Sequence, residues 1–102
     1  MEANKIIITG GATRIGAAIA HKLSGAGKEI IIHYNKSKLK AENLKKELSK
    51  NKTKVYLVKG DLSQEKDVNK ILKFAKSKLK YFDCLINNAS LFENDKLENF
   101  TT

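Results

Sequence analysis

The segment Thr9-Gly10-Gly11-Ala12-Thr13-Arg14-Ile15-Gly16 joins the apolar run Ile6-Ile7-Ile8 to a stretch with helical spacing. Glycines in such a junction let the backbone close tightly and bring the amides of a helix start against phosphate oxygens. The expected chemistry is electrostatic capture of a pyrophosphate. The common dinucleotide fingerprint, with glycines at its first, third and sixth positions, is not met, because the glycines here are Gly10, Gly11 and Gly16. Context carries the reading: a buried strand, a glycine-rich loop, then a helix. Arg14, the only arginine of the chain, stands inside this loop. A guanidinium there can make a charge-assisted bond to phosphate and lie close to a bound substrate.

Three further stretches carry polar groups at the ends of apolar runs. His33-Tyr34-Asn35-Lys36-Ser37-Lys38 offers cations and a hydroxyl. It lacks the carboxylate that would hold the ribose hydroxyls of NAD and repel a 2′-phosphate, so Lys36 and Ser37 are candidates for binding that phosphate. Asp61, followed by Leu62, places a carboxylate, an acceptor for N–H donors, after the third run. Asn87-Asn88-Ala89-Ser90 supplies turn-forming amides, with the aromatic Phe92 two positions on. Tyr34 and Lys38 share the four-residue offset of an acid-base pair, but they sit at the end of the second apolar run, among the groups expected to meet the adenosine. They are not read as catalytic.

These groups must be positioned by something, and the pattern of apolar residues says what. Short continuous runs alternate with longer helical periods, the signature of strand-helix-strand units on a parallel sheet buried on both faces. Strands are expected at Lys5 to Thr9, Glu29 to His33, Lys54 to Lys59 and Phe82 to Asn87. The first helix is marked by Ile15, Ala18, Ile19 and Leu23 and ends at Gly25-Ala26-Gly27. The second is marked less regularly by Leu39, Leu44 and Leu48, and the third by Val68, Ile71, Leu72, Ala75 and Leu79, with Ser63 as its N-cap. Right-handed crossovers then give the start of an α/β, doubly wound Rossmann-type sheet in the order 3-2-1-4, with helices on both faces. In such sheets ligands bind beyond the carboxyl ends of the strands at the switch point, which is where all four polar stretches fall.

Composition limits the alternatives. A chain of 102 residues that is 41% hydrophobic and 30% charged is expected to be one globular domain. The net charge of +9 is almost entirely lysine, spread over residues 36 to 80 without aromatic interleaving, which suits a solvated surface better than a nucleic-acid interface. Cys84 lies in an apolar run and reads as a buried free thiol, not as a nucleophile or metal ligand. No apolar stretch is long enough to span a membrane and the start, Met1 to Lys5, lacks the marks of a secretory signal, so a cytoplasmic protein is expected.

The loop resembles that of the short-chain dehydrogenase/reductase family, threonine-glycine, three variable residues, then glycine-hydrophobic-glycine. Arg14 stands where the middle glycine of that motif would be, a substitution similar to the pteridine-reductase branch. The stretch His33 to Ser37 resembles the same branch, as does Ser90 where the family usually has glycine, with Phe92 as the accompanying aromatic. The resemblance implies NADPH (NADP+) as cofactor, bound by Thr9, Gly10, Arg14, Ile15, Gly16, His33, Tyr34, Lys36, Ser37, Asp61, Leu62, Asn87, Asn88, Ala89 and Ser90. It implies a substrate site shared by Arg14, Ser90 and Phe92, with Phe92 stacked on a flat heterocycle such as a pterin.

It also implies that residues 1-102 are a partial NADP(H)-binding domain. The family's tyrosine-x-x-x-lysine segment falls beyond Thr102, so no catalytic residue and no metal ligand is assigned. The corresponding full-length protein would be a homo-oligomeric oxidoreductase with a small-molecule substrate, a pterin-like C=N bond being preferred. A 3-oxoacyl-carrier-protein reductase-like enzyme, a non-catalytic NADPH-binding module and a basic nucleic-acid-binding protein are the alternatives. No nucleic-acid or membrane partner is expected.

Overall fold

The computed structural model describes residues 4–88. Its elements run β1 (Lys5–Thr9), α1 (Arg14–Leu23), β2 (Glu29–Tyr34), α2 (Lys38–Ser49), β3 (Lys54–Lys59), α3 (Glu65–Leu79) and β4 (Cys84–Asn87). The four strands are parallel and ordered β3-β2-β1-β4. This is the expected doubly wound arrangement, and it leaves a topological switch between β1 and its two neighbours.

The triple isoleucines explain why β1 and β2 lie at the centre. Successive side chains of a strand point to opposite faces, so only a strand covered on both sides can be apolar throughout. Ile6, Ile8, Ile30 and Ile32 face α1 and α2, where they meet Ala20, Leu44, Leu48 and Val55. Ile7 and Ile31 face α3 and meet Val58, Ile71, Ala75 and Leu79. Each fully buried isoleucine contributes about 1.5 to 3 kcal/mol of hydrophobic stabilisation.

Several boundaries and faces differ from the sequence expectation. β2 reaches Tyr34 because it stays paired with β3 as far as Lys59. β4 starts at Cys84, two residues later than expected, because the Asp83 carboxylate instead accepts the amide hydrogens of Asn4 and Lys5 at 2.9 and 3.0 Å. The Asp83 carboxyl is held below its ordinary pKa by these two bonds. Cys84 is half-buried, not fully buried.

In α2, Leu39 is 74% exposed, and the buried stripe is Ala41, Leu44 and Leu48. In α1, Ile15 and Ala18 point outward; the helix packs on the core through Ala20 with half-buried Ala17, Ile19 and Leu23, and Gly16 is buried against the loop before it. Ser63 does not cap α3. Its amide and hydroxyl both donate to Oδ1 of Asp61, which moves the cap position to Gln64.

No helix among the described residues is long and apolar enough to cross a membrane.

Candidate functional site at the carboxyl ends of the strands

Gly10 is the hub of the loop between β1 and α1. It takes φ of +64°, a conformation that costs a side-chain-bearing residue about 1 to 2 kcal/mol. Its carbonyl accepts three hydrogen bonds, from the Thr13 hydroxyl at 2.8 Å, the Thr13 amide at 3.2 Å and Nδ2 of Asn88 at 2.9 Å. Its amide donates to Nδ1 of His33 at 3.0 Å. The next amide, Gly11, donates to the His33 carbonyl at 3.0 Å. One residue of β2 therefore holds two consecutive amides of the loop.

Thr13 caps α1: its hydroxyl oxygen accepts the Gly16 amide hydrogen at 3.1 Å, and its carbonyl accepts that of Ala17 at 2.8 Å. The first two residues of the helix, Arg14 and Ile15, have amides with no intrahelical acceptor, as every helix start must. These amides and the positive end of the helix dipole form the anion-binding edge of the loop. A Cβ at Gly16 would collide with the Gly10 carbonyl oxygen and come within 2.7 Å of the Gly11 Cα and 2.9 Å of Asn88 Nδ2. The space kept free at Gly16 is what lets the loop lie flat against the helix.

Thr9 is buried, and its hydroxyl donates to the Asn87 side chain at 2.9 Å and approaches the Ile86 carbonyl at 3.3 Å, joining β1 to β4. Asn88 is fully buried; its Nδ2 also donates to the Thr13 hydroxyl at 3.0 Å, while its Oδ1 has no partner among the described residues. Arg14 is exposed at the start of α1, beside an open groove that includes Ile15, Ile19, Lys22 and Ile86. A cation at a helix start opposes the helix dipole, an arrangement that an anionic ligand would relieve.

β2 ends at half-buried Tyr34, and the loop after it carries exposed Lys36 and Ser37. Ser37 occupies the N-cap position of α2, yet its hydroxyl does not cap the helix, and the first turn holds no acidic residue. The loop after β3 begins at Gly60, whose amide donates to the Tyr34 carbonyl at 3.1 Å and whose carbonyl accepts from Nε2 of His33 at 2.8 Å. Asp61 is half-buried, and its amide donates to Asp67 at 2.8 Å. Leu62 packs against the core on the α3 side.

The sequence-predicted residues from Thr9 to Asn88 thus converge at one end of the sheet, while Ala89, Ser90 and Phe92 lie outside the described residues. His33 sits inside the wall of the site, not on its surface: it is 2% exposed and both ring nitrogens are engaged. Burial pushes its pKa below the ordinary value near 6.5; the bond to the Gly60 carbonyl opposes this, and the charge of Lys70 adds to it. The neutral ring therefore accepts at Nδ1 and donates from Nε2.

Sequence reasoning missed Thr13, Gly11 and Gly60. Thr13 had a readable signal, a threonine immediately before a helix start. The other two act through backbone groups and have none. Among the described residues no group of three or more His, Cys, Asp or Glu side chains could hold a metal ion.

Comparison with known proteins agrees with this geometry. The sequence matches the short chain dehydrogenase family over residues 4–102. It is 33% identical over 95 residues to the short-chain dehydrogenase/reductase FrzI of a Cladobotryum species, covering 93% of this chain and 37% of that protein. The crystal structure of a short-chain dehydrogenase from Oenococcus oeni superposes with a TM-score of 0.75 at 33% identity, covering 84% of this chain and 40% of that one. That of FolM alternative dihydrofolate reductase 1 from Brucella canis, complexed with NADP, superposes with a TM-score of 0.74 at 33% identity, covering 87% of this chain and 36% of that one. The chain therefore spans about two fifths of the length of these relatives. With the strand order, the glycine loop on its capped helix and a match over nearly every residue, the chain belongs to the short-chain dehydrogenase family.

Proposed function

We propose that this chain is the NADPH-binding half of a short-chain reductase whose substrate carries a pterin-like C=N bond. The observation that carries the cofactor reading is the start of α2. There an exposed lysine and an uncapped serine hydroxyl, Lys36 and Ser37, stand at a helix N-terminus without a carboxylate in its first turn. Such a corner favours a dianionic 2′-phosphate and offers nothing to the free ribose hydroxyls of NADH. The Arg14 and Ile15 amides would hold the pyrophosphate, the Arg14 guanidinium would neutralise it, and Asp61 would meet the adenine. Bound there, NADPH supplies the hydride.

The pterin reading rests on Arg14 beside the loop and on the similarity to the Brucella canis dihydrofolate reductase. Ser90 and Phe92 would complete that end of the site. The test uses the polypeptide encoded by the complete reading frame that carries this chain. NADPH oxidation should be fast with dihydrobiopterin or dihydrofolate and slow with an acetoacetyl thioester. The reverse ranking would replace the substrate by a 3-oxoacyl thioester, and binding without turnover of either would make the protein a cofactor-binding module. Equal or tighter binding of NADH at matched ionic strength would overturn the cofactor.

A further inference from the structure

Among the described residues, the His33 side chain touches both halves of the candidate site. Its Nδ1 accepts from Gly10 in the phosphate loop at 3.0 Å, and its Nε2 donates to Gly60, the residue before Asp61, at 2.8 Å. Its own carbonyl accepts from Gly11 at 3.0 Å. The ring spans from a loop after β1 to a loop after β3, across the end of the strand between them. It is fully enclosed, so water cannot substitute for either bond.

We propose that His33 is a positioning residue for the cofactor. It fixes the separation between the pyrophosphate-binding loop and the adenine-side loop, and it does so only as the neutral tautomer with its hydrogen on Nε2. The proposal rests on the nucleotide-binding reading above. The geometry leaves no second solution. A protonated ring would aim an N–H at the Gly10 amide, two donors face to face, and the opposite tautomer would fail at both ends. The groups facing the ring are few. Gly10 and Gly11 from the loop after β1 are neutral, and Lys70 on α3 contributes a positive charge that disfavours protonation. Asp67 is bonded to the Asp61 amide, and Oδ1 of Asp61 to Ser63. Acid should therefore weaken cofactor binding by unseating the loop.

The chain has only two histidines, which makes the test direct. In the nitrogen-15-labelled polypeptide of the complete reading frame, His33 should show the Nε2–H tautomer at neutral pH and titrate below the ordinary histidine value near 6.5. Its signals are assigned against a His21→Gln variant, and any further histidines of that polypeptide by single substitution. In parallel, NADP+ affinity is measured between pH 8 and 5.5 for the wild type, His33→Asn and His33→Gln. Asparagine can keep the acceptor toward Gly10 and glutamine the donor toward Gly60, but neither spans both. Each should bind about tenfold more weakly at pH 8, the loss of one buried hydrogen bond.

The ratio of wild-type to variant affinity should shrink toward acid pH, a comparison from which the titration of the cofactor's own phosphate cancels. An Nδ1–H or charged ring at neutral pH would overturn the proposal even if neither variant folds. So would variants that bind within twofold of the wild type with parallel pH profiles. No binding by the wild type would instead bring down the nucleotide reading, and the proposal with it.

Discussion

Gly10 and Gly16 meet across a gap that only hydrogen atoms can fill, so the loop should tolerate substitution poorly. Gly16→Ala is expected to cost about 1 to 3 kcal/mol, because the added methyl meets backbone and not a yielding side chain. A fall in melting temperature together with weaker NADPH binding would be the readout; wild-type stability and affinity would refute the close approach. If Lys36 and Ser37 hold the 2′-phosphate as proposed, Lys36→Ala and Ser37→Ala should each weaken NADPH binding by about tenfold and NADH binding far less. Titrations with both nucleotides distinguish this from a general loss of affinity. His33 adds a pH dependence to stability itself. Its folded pKa lies below its ordinary value, so the unfolded chain takes up the proton first as pH falls. Stability is fully present above about pH 6.5 and declines as the pH drops below that value toward the folded pKa; denaturant titrations at pH 7.5 and 5.5 should show the loss, reduced in a folded His33→Asn variant.

At the scale of the elements, α1 is held by its cap, by buried Ala20 and by Ile19 and Leu23 packed on the core. Thr13→Ala removes the acceptor for the Gly16 amide and the donor to the Gly10 carbonyl, and should cost about 1 kcal/mol or more. Thermal denaturation measures it, and an unchanged midpoint would mean that the bonds from Asn88, His33 and the Thr13 amide suffice to secure the loop. The strands were legible because three isoleucines in a row have one economical explanation, a strand buried on both faces.

The face of α1 was legible only in part: Ile19 and Leu23 pack on the core as their spacing predicts, whereas Gly16 and Ala20 are buried by close approach, which a hydrophobic pattern, a record of size, does not register. Leu39 misled in the same way, an apolar residue exposed beside an alanine that is buried. Ser63 was a reasonable cap until the Asp61 side chain captured it. Of the site, the convergence of the polar strand-end stretches was legible, as was Gly10 in its glycine-rich loop, whereas Gly60 acts through main-chain groups that any residue type carries.

Taken whole, the described residues leave one side unfinished. β4 is an outer strand with Leu85 54% exposed, and next to it Ile15, Ala18, Ile19, Leu23 and Ile86 line an open apolar groove on α1. An outer strand with exposed apolar side chains is a template for pairing with other chains. The 102-residue chain should therefore self-associate with rising concentration, and Leu85→Lys should reduce that association in sedimentation or light scattering. Its high positive charge opposes contact between copies at low salt, so association should increase as salt screens it.

The bonds from Asn88 to Gly10 and Thr13 join groups 78 and 75 residues apart in the chain, and Thr9 meets Asn87 across a similar interval. The loop they close is almost as long as the described structure, so its entropic cost falls due before those bonds can form. During synthesis, β1 and α1 leave the ribosome early, yet the phosphate loop cannot acquire its final shape until residue 88 has emerged and β4 has docked. The loop after β1 is thus among the last of the described parts to take its final shape.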